Sequence, residues 1–200
     1  MYKKIALVII AGSLSFLSYA QDVAEQSASP KASNKSWTFF RIGILPDFPE
    51  SPAYGTYGLV LGIPASGGKG AVDGLEAAII LASTDNVQGV QGSFIVNLTK
   101  KIRGLQGGLI NIAEEKTTGL QAGLTNISGD VDGLQFSAVN VATGAVDGSQ
   151  MGVVNVAEKA NGLQIGVFNV AQKSGFQIGL INFISDNWLQ FSFLVNASFN

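Results

Sequence analysis

The feature that most constrains the fold is a repeated unit of 13 to 15 residues that fills the chain from Gly74 onward. A complete example is the segment 162–171, which reads Gly-Leu-Gln-Ile-Gly-Val-Phe-Asn-Val-Ala. The units begin at Gly74, Gly89, Gly104, Gly119, Gly133, Gly148, Gly162 and Gly175, with Trp188 in the ninth slot. A fixed period indicates a repeat architecture in which each unit buries its apolar surface against its neighbours.

Polar residues occupy fixed places in these units. Glutamine stands two places after the leading residue, and Glu76 replaces it in the first unit. Asparagine closes the core of the later units at Asn97, Asn111, Asn126, Asn140, Asn155, Asn169, Asn182 and Asn196. From Gly74 onward Glu76 is also the only charged residue inside a unit core. Because an unpaired buried charge is costly, the cores are predicted to lie in protein or lipid and the links in water.

The unit cores are predicted to be β-strands, since they are rich in Val, Ile, Leu and Phe and have no helical period. Two architectures fit them. An antiparallel meander could close into a barrel, whereas a parallel β-solenoid with one repeat per coil would stack Gln on Gln and Asn on Asn. In the segment 162–171 the apolar face changes side near Gly166. This change indicates either a kink or apolar surroundings on both sides of the second half.

Composition excludes several classes of function. The 200 residues include no histidine and no cysteine, so Ser-His-Asp and Cys-His catalysis and imidazole or thiolate metal sites are ruled out. The net charge is −2 without a basic face, so we expect no nucleic-acid partner. The sequence nominates no catalytic, cofactor-binding or metal-ligating residue and no cofactor. We therefore expect a protein that is not an enzyme.

The domain organisation is predicted as follows. Residues 1–20 have the charged start, apolar run and small-residue cleavage site of a signal peptide. Residues 21–36 are expected to be a disordered leader. Residues 37–200 form a single β-repeat domain, in which 37–70 hold two non-repeat strands with Pro- and Gly-rich loops and 72–200 hold nine repeats.

The opening segment 37–46, the strand 57–62 and the repeated units together resemble a largely uncharacterised family of surface-repeat proteins from Gram-negative envelopes. In longer relatives, similar units adjoin segments that look like outer-membrane barrel strands. The last unit also resembles the closing strand of such a barrel, with Phe199 one residue from the end. The resemblance favours an up-and-down antiparallel barrel of roughly ten to twelve strands, one per repeat. The parallel solenoid is the alternative.

The resemblance implies a location in the outer membrane or on the cell surface, with periplasm or secretion as the alternative. The corresponding function is a non-enzymatic structural or narrow-pore role, with outer-membrane lipid as the expected partner. The alternative function is a secreted solenoid binding module that presents its Gln and Asn rows to a glycan or protein partner.

Overall fold

The computed structural model describes residues 38–48, 55–173 and 175–198. Every regular element there is a β-strand: β1 (Thr38–Gly43), β2 (Thr56–Gly62), β3 (Ala65–Ala78), β4 (Leu81–Ser93), β5 (Val96–Gly107), β6 (Ile110–Ala122), β7 (Thr125–Phe136), β8 (Val139–Met151), β9 (Val154–Ala160), β10 (Leu163–Lys173), β11 (Gly175–Ile184) and β12 (Phe191–Ser198). The signal peptide and leader expected over 1–36 lie outside the described residues and stay predictions.

Successive strands run parallel and in register along almost the whole array. Between β10 and β11, Gln164 pairs with Gln177 and Asn169 pairs with Asn182. Among the named strands only β11 and β12 are antiparallel to each other. The barrel prediction is therefore wrong, and the chain forms the alternative, a parallel β-solenoid with one repeat per coil. The physical reason is that a meander would reverse every second unit, so equivalent amides could not stack.

Each coil consists of two strand segments whose inward side chains form four rows along the solenoid. In β5 the inward side chains are Asn97, Thr99, Ile102 and Gln106, all of which are buried. Their register partners in β6 are Asn111, Ala113, Thr117 and Gln121. Because each coil encloses two amides and two small or medium side chains, a repeat of only 13 to 15 residues can close around them.

The change of apolar face near Gly166 marks the corner between the two segments of a coil. Gln164 and Asn169 both point inward although they are five positions apart, so the strand alternation shifts by one residue between them. A Cβ at Gly166 would lie 2.6 Å from the carbonyl oxygen of Gly152. Of the two sequence-based explanations, the kink is the one that the structure shows.

The two ends of a coil have different interiors. The amide rows fill the end next to the Gly166-type corner. The other end contains the aliphatic core, whose larger cluster is Val131, Ala142, Val146, Ala157, Ala160, Ala171 and Ile184. The aliphatic core therefore lies beside the polar links that join one unit to the next.

The ninth unit does not add a further parallel coil. Its strand β12 runs back antiparallel along β11, with Asn196 opposite Gln177. In the preceding turn, the Asn187 amide donates to Asn196 Oδ1 at 3.0 Å and to the carbonyl oxygen of Ala197 at 2.9 Å. The repeat array predicted for 72–200 thus ends in a reversed strand that covers the open edge of the last coil.

Gly133→Ala should destabilise the solenoid by roughly 2–3 kcal/mol, because a side chain is strained in the backbone conformation found there. The residue has φ of +142°, and a Cβ would lie 2.1 Å from the carbonyl oxygen of Gly119 in the preceding coil. Gly107→Ala is the matched control, since a Cβ there meets nothing within 4 Å. We expect it to leave stability unchanged or slightly higher. Urea unfolding followed by circular dichroism compares the two variants. Equal unfolding midpoints would contradict the expected strain at position 133.

Candidate functional site

The glutamines form a continuous hydrogen-bonded ladder inside the solenoid. Each Nε2 donates to Oε1 of the glutamine in the preceding coil. The distances are 2.7 to 2.8 Å for Gln106–Gln91, Gln121–Gln106, Gln135–Gln121, Gln150–Gln135, Gln164–Gln150 and Gln177–Gln164. A backbone carbonyl fixes which way the side-chain amide points. In Gln150, for example, Nε2 also donates to the carbonyl oxygen of Val156 at 3.1 Å. A flipped amide would place two acceptors together.

The asparagines form a second ladder of opposite direction. Each Nδ2 donates to Oδ1 of the asparagine in the following coil, at 2.8 to 3.1 Å for Asn97–Asn111, Asn111–Asn126, Asn126–Asn140, Asn140–Asn155, Asn155–Asn169 and Asn169–Asn182. The free acceptors accordingly lie at opposite ends, on Asn97 Oδ1 and Gln177 Oε1. Because the donor directions oppose each other, the amide dipoles of the two rows partly cancel.

Both amide rows are inaccessible to a partner. The side chains from Gln91 to Gln177 and from Asn97 to Asn182 that form them are at most 1% exposed. The part of the binding-module prediction that presents these rows to a glycan or protein is therefore wrong, because the amides satisfy one another. The same packed interior leaves no lumen in the described coils, so it also removes the basis of the narrow-pore role.

Glu76 ends the glutamine ladder at its donor end, where it accepts the amide hydrogen of Gln91. Its Oε2 accepts from Gln91 Nε2 at 2.9 Å, while Oε1 accepts from the hydroxyls of Ser66 at 2.8 Å and Thr84 at 2.9 Å. Its register neighbour on the other side is Val60, which has no polar group to receive a further amide hydrogen. A carboxylate suits this place because it accepts hydrogen bonds on both oxygens and needs no acceptor of its own.

Burial raises the pKa of the Glu76 carboxyl, and this effect exceeds the opposing hydrogen bonds from Ser66, Gln91 and Thr84 and the attraction of Arg41. The residue is 0% exposed, so it offers no surface to a substrate. We infer that Glu76 has a structural role as the terminus of the ladder.

The outer surface is apolar around one corner of the coils. Its tip carries the exposed side chains Ile79, Phe94, Leu109, Leu124, Val153 and Leu180, here called the apolar edge. Phe94 is 76% exposed and Leu180 is 59% exposed. Apolar rows flank this edge on both faces, through Leu75, Val90, Leu105, Leu134 and Phe176 on one and Val96, Ile110, Val139, Val154 and Phe168 on the other. Thr125 and Ser149 interrupt the two rows, which are otherwise apolar. An extended exposed apolar surface is typical of an interaction site.

The opposite corner carries the charged side chains. This charged edge comprises Asp85, Lys100, Lys101, Arg103, Glu114, Glu115, Lys116, Asp130, Asp132, Asp147, Glu158, Lys159 and Lys173. Ion pairs cross between coils from Lys100 to Asp85 and from Lys101 to Glu115, both at 2.9 Å, and from Lys116 to Asp132 at 3.7 Å. The hydrogen bond to Asp85 raises the pKa of Lys100, whereas burial raises the pKa of Glu114. Exposed pairs of this kind add little stability.

A groove of about 330 Å³ lies at the charged edge of the first coils. Its rim carries Tyr57, Asp73, Gln88, Arg103 and Thr118, which are consecutive register partners from β2 to β6. Its floor includes Val72, Val87 and Ile102. The site is not recognisable in the sequence, because the rim residues are about 15 positions apart and no two of the first four are alike. These residues can be aligned only when the coils are known to stack in parallel and in register.

Comparison of the chain with protein-family models, curated proteins and solved structures returned no match. Membership of the surface-repeat family therefore stays a prediction. Within the described residues, no helix is long and apolar enough to cross a membrane. No cluster of three or more acidic side chains in those ranges could hold a metal ion.

Gln121→Leu should destabilise the protein by roughly 2–5 kcal/mol, because it leaves two buried amide groups without partners, each at about 1–3 kcal/mol. These groups are Gln106 Oε1 and Gln135 Nε2. Gln88→Leu is the matched control, since that side chain is exposed. Chemical unfolding should separate the two variants, and a loss for Gln121→Leu no larger than for the control would show that the ladder contributes nothing net.

Glu76→Gln should change how stability depends on pH. Above its ordinary pKa of 4.5 and up to the raised folded value, the folded carboxyl keeps a proton that the unfolded chain has lost. Stability therefore falls as pH rises through this window, and the isosteric amide removes this contribution. Unfolding free energies measured from below the ordinary pKa to neutral pH should show Glu76→Gln gaining stability relative to the wild type as pH rises. Glu158→Gln, on the charged edge, serves as control, and a pH-independent difference between Glu76→Gln and wild type would contradict the expectation.

Proposed function

We propose that this protein is an exported, non-enzymatic β-solenoid module that rests on a lipid surface of the cell envelope by its apolar edge. The observation that carries the proposal is the segregation of the outer surface. Exposed apolar side chains such as Phe94, Leu124 and Leu180 follow one corner through successive coils, while the charged links follow the opposite corner. A structure divided in this way suits a boundary between an apolar phase and water.

The interior supports the same orientation. Near the charged edge the inside consists of aliphatic side chains and a few hydrogen-bonded hydroxyls such as Thr99 and Thr117, and the outside is charged, as in a protein surrounded by water. Near the apolar edge the distribution is inverted: the Gln and Asn ladders are inside and the apolar rows are outside. An arrangement with polar groups inside and apolar groups outside is typical of surfaces that face lipid. Coils within the array pair their backbone with both neighbours, so this edge can enter an apolar phase without unpaired backbone groups.

Lipid explains the apolar edge better than a protein partner does. A specific protein interface has a compact apolar centre, a polar rim and distinct anchor residues. The apolar edge instead repeats similar side chains coil after coil, from Ile79 to Leu180, without an enclosing polar rim along its length. A uniform apolar surface suits lipid, because lipid chains are fluid and need no distinct anchor residues.

The non-enzymatic part of the proposal rests on the placement of ionisable groups. Most described acidic and basic side chains lie on the exposed links, and Glu76 is enclosed by three hydrogen-bond donors. Export rests on the predicted signal peptide at 1–20. A structural role in the outer membrane or at the cell surface follows from combining this export signal with the apolar edge.

Flotation with phosphatidylcholine vesicles tests the proposal. The mature protein should rise with the vesicles, and replacing Phe94, Leu109 and Leu124 together by Ser should weaken partitioning by at least about tenfold, because exposed apolar area drives it. The matched control is a triple variant of the charged edge that combines Glu158→Ser, Lys159→Ser and Lys173→Ser, and it should still float. Circular dichroism verifies that both variants fold.

A wild-type protein that stays at the bottom of the gradient would reject the lipid proposal. Equal losses in the two triple variants would reject it as well, because the apolar edge would then have no special part in binding.

A further inference from the structure

The groove at the charged edge is built from side chains that the repeat does not require. The rim row consists of Tyr57, Asp73, Gln88 and Arg103 in successive coils, and it continues with short or acidic residues such as Asp132 in later coils. These side chains point outward, so the interior packing of the coil does not determine their type. The change of side chain along the row therefore gives this part of the solenoid a distinct recognition surface.

The cations of the groove are not equivalent. Lys101 is paired with Glu115 and Lys116 with Asp132. Arg103 follows Lys101 by two residues in β5 and is exposed, and within the described residues its guanidinium makes no ion pair. A guanidinium with its donors free matches the two oxygens of a carboxylate in a bidentate pair.

The other end of the groove offers an aromatic surface. Tyr57 is 55% exposed, so its ring is available for contact with a flat, partly apolar group. The side chains of Asn86, Gln88 and Asp73 lie between the ring and Arg103 and supply amide and carboxylate groups for hydroxyl partners. Tyr57 and Arg103 are three coil steps apart, or roughly 14 Å at about 4.8 Å per step.

We propose that this groove binds an acidic oligosaccharide, with a sugar carboxylate on Arg103 and a sugar ring on Tyr57. Sugar rings have apolar faces that stack on aromatic side chains and hydroxyl groups that pair with planar polar side chains. The ligand lies along the solenoid axis, because the rim residues follow that axis. The inference does not depend on lipid binding, since the groove is on the opposite, water-facing edge.

An acidic peptide fits the groove less well. Extended peptides gain much of their affinity by adding a strand to an open sheet edge. The strands β3, β4 and β5 under the groove are each hydrogen-bonded on both sides, so they offer a peptide no free backbone edge. Side-chain contacts alone remain, and these favour hydroxyl-rich ligands.

Isothermal titration calorimetry with tetragalacturonate tests the proposal, with maltotetraose as the neutral probe and tetraglutamate as the acidic peptide probe. We expect saturable binding of tetragalacturonate and much weaker binding of the other two. Arg103→Gln should weaken binding by about tenfold or more, and Arg103→Lys should restore only part of it, because a lysine cannot form the bidentate pair. Tyr57→Ala should also weaken binding.

Lys159→Gln is the matched control, because it removes a cation from the charged edge outside the groove and should leave binding unchanged. No saturable binding of tetragalacturonate would overturn the proposal. So would equal losses in Arg103→Gln and Lys159→Gln, which would indicate charge attraction alone, or equal affinity for tetraglutamate, which would indicate a peptide site. Thermal unfolding of the Arg103 variants should match the wild type, because the side chain is exposed.

Discussion

The structure depends on a carboxamide binding to a copy of itself in the next coil. A side-chain amide has a donor on one side and an acceptor on the other, so a row of amides is satisfied only when equivalent residues stack in one direction. Gln150 and Asn155 illustrate the two ladders. Each is 0% exposed and is hydrogen-bonded to the equivalent amide of the preceding coil. Because unpaired buried amides are costly, any slip of register would carry that penalty in both rows at once. The ladders therefore hold neighbouring coils parallel and aligned.

The ladders also explain the unusual distribution of polarity. One end of each coil is filled by amides, which bond to the adjacent coil and so remain satisfied without exposure to water. Once the polar groups of the unit point inward at one end, its Leu, Val and Phe side chains point outward, as at Phe94 and Leu180. The resulting apolar edge and the opposite charged edge give the solenoid two surfaces of different chemistry. Lipid contact and glycan binding are proposed for these two surfaces, so they can operate at the same time.

The sequence predicted much of this fold from particular residues. The glycine and glutamine spacing gave the unit, the placement of charges located the links, and the altered alternation at Gly166 located a corner. It did not decide between barrel and solenoid, because alternation within one strand says which side chains share a face but not which way the neighbouring strand runs. The resemblance to surface-repeat proteins favoured the barrel, and the parallel pairing of Gln164 with Gln177 shows otherwise. The last unit has the alternation of a strand, yet only the packing against β11 shows that it reverses.

The candidate groove shows the same limit. Tyr57 and Arg103 are 46 positions apart in the sequence, and only the stacking of coils places them on one rim. The sequence by itself determined the repeat period, the strand cores, the solvent-exposed links between units and the absence of histidine and cysteine chemistry. These features follow from local residue type. The tertiary structure alone decided strand direction, the burial of the amide rows and the assembly of the rim. Each of these depends on hydrogen bonds between coils, and a single repeat contains only one partner of each bond.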